Sequence, residues 1–210
     1  MKYDPGFIER LRLRLQQPLP GLDAQMRMAP PVRGREYVIP PNARRSAVLA
    51  LLYPCQDQYY LAFMKRAEDG RVHSGQVCFP GGRREKEDTD YTFTALRETE
   101  EELGVPASKV AVLGPLTELY IPPSNSLVYP RVGYYPGRPQ FKPDQKEVAQ
   151  VLEVPLGHFL KQEVVGRHRV DVHAGNYIEA PGYTVGEHLI WGATAMIIAE
   201  LMHLVREIRN

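Results

Sequence analysis

Cysteine is scarce in this chain: Cys55 and Cys78 are the only two in 210 residues, and neither stands in a CxxC or a Cys/His ligand spacing. That excludes a disulfide scaffold and argues against a structural zinc site, and it suits a reducing, cytoplasmic setting. An excess of charge of one sign is missing too. The 26 Lys and Arg offset 25 Asp and Glu to a formal net charge of +1, so no global field marks a nucleic-acid or membrane-surface protein, and any electrostatic logic must be local. Long apolar runs are also absent. The richest, residues 189–205, is interrupted by Trp191, Gly192, Glu200 and His203, which makes it a packed helix rather than a membrane span. The opening MKYDPGFIERLRLRLQQ lacks the apolar stretch and small-residue cleavage site of a signal peptide and reads as a short amphipathic helix. The final Ile208-Arg209-Asn210 is not a peroxisomal address. No internal repeat or low-complexity tract occurs.

What is present fits one α/β domain large enough to bury a core without staples. Residues 1–45 form an N-terminal helix followed by an arm rich in proline (Pro18, Pro20, Pro30, Pro31, Pro40, Pro41), which either wraps the domain or joins a partner. From residue 46 the pattern becomes that of a folded domain running to residue 210. Residues 46–53 and 59–64 are apolar runs around a polar turn and read as a strand hairpin. A polar loop over 66–76, a short apolar segment 77–79 and a break at Pro80-Gly81-Gly82 follow. Further strands are expected over 110–113, 117–121, 127–135, 147–154, 164–172 and 177–179, a short helix over 155–161, and a final helix over 191–208.

The chemistry is concentrated between Gly81 and Val105. Asp88 or Thr89 can cap a helix whose first turn holds Asp90, and Gly104 followed by Pro106 stops it, which predicts a helix of about 90–103. At about 100° per residue, Glu98 and Glu102 lie nearly in register with Glu101 beside them, and Phe93, Leu96 and Leu103 fall on the far side. Like charges at this spacing destabilise a helix unless a cation compensates. Hard divalent cations such as Mg²⁺ take oxygen ligands of this kind, usually with substrate phosphates completing the shell. Most charge runs are merely solvated helix faces. This one is bounded by a glycine turn on one side and Gly104 on the other.

The stretch from Arg97 to Val105 resembles the second half of the Nudix box, Arg-Glu-apolar-x-Glu-Glu-x-Gly-apolar, with Thr99 as its only departure. The first half differs: Gly82 to Arg97 is one residue longer than the generic box, and Asp88 or Thr89 fills the slot of its leading Glu. This expansion, together with Lys65-Arg66-Ala-Glu-Asp-Gly-Arg71-Val-His73-Ser-Gly75-Gln76-Val-Cys-Phe-Pro-Gly-Gly82, resembles the coenzyme A pyrophosphatase branch of the family. Pro122-Pro-Ser-Asn-Ser-Leu-Val128 and Trp191-Gly-Ala-Thr-Ala195 are similar to that branch as well.

The resemblance implies an α/β fold in which a mixed sheet is sandwiched between helices. It implies Mg²⁺ or Mn²⁺ held by Glu98, Glu102, Glu101 and the main-chain carbonyl of Gly81, and catalysis that rests on these groups with Arg97 orienting the glutamates. Asp88 would serve as a cap or a supporting group. Glu101, Glu147 and Glu179 are candidate general bases, in falling order. Arg66, Arg71, His73 and Arg83 surround the loop before the box, a suitable place to meet the extra phosphate of coenzyme A. His158, His168, His173, His188 and His203 are read as structural, and Tyr120, Tyr129, Tyr134 and Trp191 mostly as core. The implied reaction splits coenzyme A or its acyl esters into adenosine 3′,5′-bisphosphate and 4′-phosphopantetheine or its acyl derivative. Hydrolysis of ADP-ribose, a nucleotide sugar or a dinucleoside polyphosphate is the runner-up, and a silent nucleotide-binding sensor the alternative of another class. The expected partner is thus a small nucleotide, with neither nucleic acid nor membrane, and pairing into a homodimer follows by analogy.

Overall fold

A computed structural model describes residues 2–35, 37–68, 74–172 and 176–209. The centre of the fold is β1 (Arg44–Cys55). Its side chains alternate between two apolar layers, as a pleated strand requires. Ala47, Leu49, Leu51 and Tyr53 face one buried cluster, and Ala50 and Leu52 face the other. Helices must therefore cover both faces, which is the layered α/β/α arrangement expected from the sequence.

The predicted hairpin forms: β1 and β2 (Gln58–Arg66) pair antiparallel from Leu52↔Leu61 to Cys55↔Gln58. The pairing covers only the second half of β1. Its first half pairs with β4 (Gly81–Arg83), Ala47 opposite Gly82, while β3 (Val77–Cys78) pairs with the end of β2. The glycine break expected at residues 80–82 is thus itself a short strand, a role that two glycines conceal from propensity reasoning. β5 (Ala111–Pro115), β6 (Leu119–Ile121), β7 (Ser126–Tyr134) and β8 (Val148–Pro155) complete an eight-stranded mixed sheet, in which β7 runs parallel to β1 and β8 borders β2.

On one face lies α3 (Tyr91–Leu103), with Ala95 and Leu103 buried against β1. On the other lie α1 (Phe7–Leu15) and α4 (Gly192–Ile208). The residues expected to be a short helix at 155–161 form a 3₁₀ turn over Leu156–Leu160. Beyond it, β9 (Val165–Val172), β10 (Asn176–Val185) and β11 (His188–Trp191) make a separate antiparallel sheet. Here β10 is longer than its apolar run suggested, and β11 takes up the start of the 189–205 stretch read as helix, so the helix begins only at Gly192.

The proline-rich arm lies on the domain. It contains a short helix, α2 (Gly21–Gln25), packed against α4. Glu200 on α4 is fully buried and collects the Gly21 N–H at 3.2 Å, the Gln25 amide at 2.9 Å and the Thr117 hydroxyl at 2.6 Å. In the sequence Glu200 looked only like an interruption of an apolar stretch. Removing its carboxylate leaves the half-buried Gly21 N–H and the Thr117 N–H and hydroxyl without this acceptor. Glu200→Ala is therefore expected to lower unfolding free energy by about 3 kcal/mol in urea titrations, with Glu200→Gln milder.

Candidate active site

Gly81 and Gly82 bring the site together. Gly81 has φ +150, and a Cβ there would lie 2.3 Å from the Ala47 carbonyl oxygen, so only glycine fits. A Cβ on Gly82 would stand 2.5 Å from the Glu98 carboxylate. The acidic side of α3 is thus laid directly on the backbone of β4.

The helix starts one or two residues later than the candidate caps Asp88 and Thr89. Asp90 is the cap, its carboxylate accepting from the Phe93 N–H at 2.8 Å. Asp88 is instead released for another task. Phe93, expected among the residues turned inward, is exposed; Thr94, Ala95 and Thr99 are buried in its place. Inward-facing Thr99 satisfies its hydroxyl by donating to the Ala95 carbonyl at 2.6 Å, which accounts for its place in a slot that usually holds an aliphatic residue. Gly104 closes the helix at φ +68.

Each carboxylate of the acidic run finds a different environment. Glu102 is 3% exposed, accepts from the Gly81 N–H at 2.7 Å and has the Arg66 guanidinium 3.6 Å away. Burial pushes its carboxyl up to about 8, against the pull of the Gly81 N–H and Arg66. Glu98 is also pushed upward by burial, opposed by Arg97. Glu101 points outward, its side chain 58% exposed, and pairs with Arg97 at 2.8 Å. Among the described residues no three Asp, Glu, His or Cys side chains converge on a common point as they stand. Glu98 and Glu101 are both engaged by Arg97, and Glu102 by the Gly81 N–H. Glu147, exposed just before β8, is near enough for its charge to act weakly on both Glu98 and Glu102. The loop that carries it is anchored to the end of α3 by Lys142 N–H donating to the Leu103 carbonyl at 2.8 Å and Asp144 N–H to that of Glu102 at 3.0 Å.

Arg97 holds the group in register. Its guanidinium donates to both oxygens of Asp88 at 3.0 and 3.1 Å, to Glu98 at 2.9 Å, to Glu101 at 2.8 Å and to the Arg83 carbonyl at 3.1 Å. Asp88, 2% exposed, also accepts from the Glu85 N–H and the Thr94 hydroxyl. The Arg97 fork, aided by these donors, holds the Asp88 carboxyl down at about 2. Of the other candidates, Glu179 stands opposite Arg169 in the separate sheet. Arg83 is exposed at the end of β4. Arg71, His73 and His173 lie outside the described residues. Tyr129 stacks on Tyr91 with ring centroids 3.6 Å apart, and Tyr134 packs at the edge of the core.

Comparison with known proteins now bears on this geometry. A NUDIX domain model matches residues 43–170. The chain belongs to the Nudix family. It is similar to proteins of Yersinia pestis (strain Pestoides F) and Yersinia pseudotuberculosis (strain IP 31758, serotype O:1b), each described as an uncharacterized Nudix hydrolase, NudL. Both are 35% identical over 97% of this chain and 96% of theirs. Among solved structures, a MutT/nudix family protein from Enterococcus faecalis aligns with TM-score 0.53 at 16% identity, covering 81% of this chain and 65% of that one. The Nudix hydrolase RenU of M. smegmatis aligns with TM-score 0.51 at 14% identity, covering 86% and 96%. At these identities the structures speak for the Nudix fold alone. No helix among the described residues is long and apolar enough to cross a membrane.

Proposed function

We propose that this Nudix hydrolase cleaves the pyrophosphate of coenzyme A or an acyl-coenzyme A with the help of Mg²⁺ or Mn²⁺. The observation that carries the reading is the seating of Glu98 and Glu102 against Gly81 and Gly82. The donor set suits a hard divalent ion: it consists of oxygens, two of them on glutamates whose burial disfavours charge until a cation compensates. Glu98, Glu102 and the Gly81 carbonyl would hold the ion, with Glu101 at the rim. Such an ion neutralises pyrophosphate charge and acidifies water. Arg97 fixes the carboxylates, and Arg66, beside Glu102, and Arg83, exposed at the end of β4, would meet phosphate oxygens. Support for coenzyme A comes from the stretch Lys65 to Gly82 and from the box expansion that seats Asp88 under Arg97.

Three glutamates compete for the part of general base. Glu101 is engaged by Arg97 and Glu179 stands in the other sheet, whereas Glu147 acts on both buried glutamates; this favours Glu147. Its carboxylate takes a proton from water, the water oxygen attacks phosphorus, and the bridging P–O bond breaks to give adenosine 3′,5′-bisphosphate and 4′-phosphopantetheine.

Product analysis by mass spectrometry tests the substrate, with coenzyme A, ADP-ribose and a dinucleoside polyphosphate each offered with Mg²⁺ or Mn²⁺. Preferred release of 4′-phosphopantetheine supports the proposal. Preferred turnover of ADP-ribose or the dinucleoside compound discards coenzyme A, and saturable binding without turnover of any would make the chain a sensor. Gly82→Ala tests the seat of the ion. The added methyl displaces the Glu98 carboxylate, so Mn²⁺ affinity in calorimetric titration is expected to fall at least about ten-fold while far-ultraviolet circular dichroism stays unchanged.

A further inference from the structure

Beside the glutamates, the start of β1 and the end of β4 form a groove of about 440 Å³ lined by Arg44, Arg45, Arg83, Arg84, Lys86 and the single acid Glu85. Ser46 pairs with Arg83, and the Arg84 N–H donates to the Arg45 carbonyl at 2.9 Å, so backbone pairing gathers the cations. Three of the guanidiniums are held in place by neutral acceptors. Arg44 donates to the Ser124 carbonyl at 2.8 Å, Arg45 to the Tyr129 hydroxyl at 2.6 Å, and Arg84 to the Asp88 and Thr89 carbonyls at 3.0 and 3.2 Å. Arg84 also stands 5.2 Å over the Tyr91 ring, which is stacked on Tyr129. Among the described residues no carboxylate closes an ion pair with any of the five cations. A chain of nearly zero net charge has thus gathered five cations with no carboxylate partner among the described residues, three of them held in place, which suits an oxyanion such as a phosphate.

Its position narrows the choice of ligand. Gly82, under the Glu98 carboxylate, is adjacent in sequence to Arg83. At roughly 3.3 Å per extended residue, the chain carries Arg84 about 7 Å from Gly82 and Lys86 at most about 13 Å from it. We propose that this groove binds a phosphomonoester of the substrate, set off from the scissile pyrophosphate by the width of a ribose; in a coenzyme A this is the 3′-phosphate. The inference rests on the diphosphatase reading for its substrate but not for its binding site, which the loop before the box does not form.

The test separates the two. Calorimetry compares adenosine 3′,5′-bisphosphate with adenosine 5′-monophosphate on the full chain and on Arg44→Gln/Lys86→Gln, with thermal melting to confirm folding. The expected result is about ten-fold tighter binding of the bisphosphate, lost in the double variant. Equal affinities, or an advantage that survives the substitutions, overturns the groove. In kinetics, the double variant is expected to raise the KM for coenzyme A about ten-fold and to leave 3′-dephospho-coenzyme A within two-fold; an equal rise for both also overturns the groove. If neither compound is hydrolysed by the unaltered chain yet the bisphosphate advantage holds, the groove stands and the diphosphatase reading falls.

Discussion

Glu102→Gln is expected to abolish metal-dependent turnover and, in the same molecule, to raise the melting temperature of the metal-free chain. The loss of activity, on the order of 10³-fold, follows from removing a buried oxygen charge that the proposed ion needs. The gain in stability follows from linkage. In the fold the Glu102 carboxyl is raised from its ordinary 4.5 to about 8. Below 4.5 both folded and unfolded chains hold the proton, and nothing is lost. Between 4.5 and 8 the unfolded chain releases it while the folded one resists, so stability declines as pH rises, and above 8 the full cost of burying a carboxylate is felt. Glutamine keeps an acceptor for the Gly81 N–H without the charge. Above pH 8 the variant is expected to be about 2 kcal/mol more stable, or roughly 4–8 °C in melting temperature. The difference vanishes near pH 4 and shrinks when Mn²⁺ is added to the unsubstituted chain. Equal melting temperatures at pH 9 without metal would sink the idea that Glu102 is held at an energetic cost.

Arg97→Ala carries the second large effect, and its sign is opposite. It strips a buried carboxylate, Asp88, of its fork and frees Glu98 and Glu101 together. Breaking a buried pair from one side typically costs 3–5 kcal/mol, and the partial exposure of Arg97 places it near the lower end, at about 3 kcal/mol. Activity falls too, because the glutamates lose their alignment. Arg97→Lys is expected to recover only part of either, since an ammonium cannot reproduce a planar fork. A double variant, Arg97→Ala/Asp88→Asn, removes the stranded charge and is expected to regain most of the stability but none of the activity. The acid limb is another check. Asp88 titrates at about 2 in the fold against an ordinary 3.8. Its contribution is complete above 3.8 and is lost as pH falls through about 2, so the gap between the unsubstituted chain and Arg97→Ala narrows over that window in urea titrations.

The helix of the box, its stop at Gly104 and the pairing of Glu98 with Glu102 were legible because each is written in short-range signals: helical spacing, a glycine, a proline. The hairpin of β1 and β2 was legible through alternation around a polar turn. The cap was misassigned because Asp88, Thr89 and Asp90 offer equivalent side chains. What selects Asp90 is that Asp88 is claimed by Arg97 from nine residues away, a contact that propensity does not contain. The strand character of Gly81–Arg83 was hidden for a similar reason, since its conformation comes from β1 and not from its own residues. Glu200 could not be recognised as a tie between α4 and the arm, because its donors lie 83 or more residues away in sequence. Of the basic groove only Arg83 stood out in the sequence, because Arg44-Arg45 lies far from Arg83-Arg84 along the chain and only the β1–β4 ladder brings one to the other.

The parallel ladder between β1 and β7 has a kinetic implication. Arg44 meets Ser126, a sequence separation of 126 − 44 = 82 residues, and closing so long a loop is costly before any contact repays it. The hairpin of β1 and β2 is local and can form early, whereas the ladder that fixes the far side of β1 must wait for most of the chain. Truncating Val132, fully buried on β7, is therefore expected to slow refolding, while Ala95→Gly on α3 chiefly hastens unfolding. On this order of events the carboxylate platform is among the last parts of the molecule to become rigid.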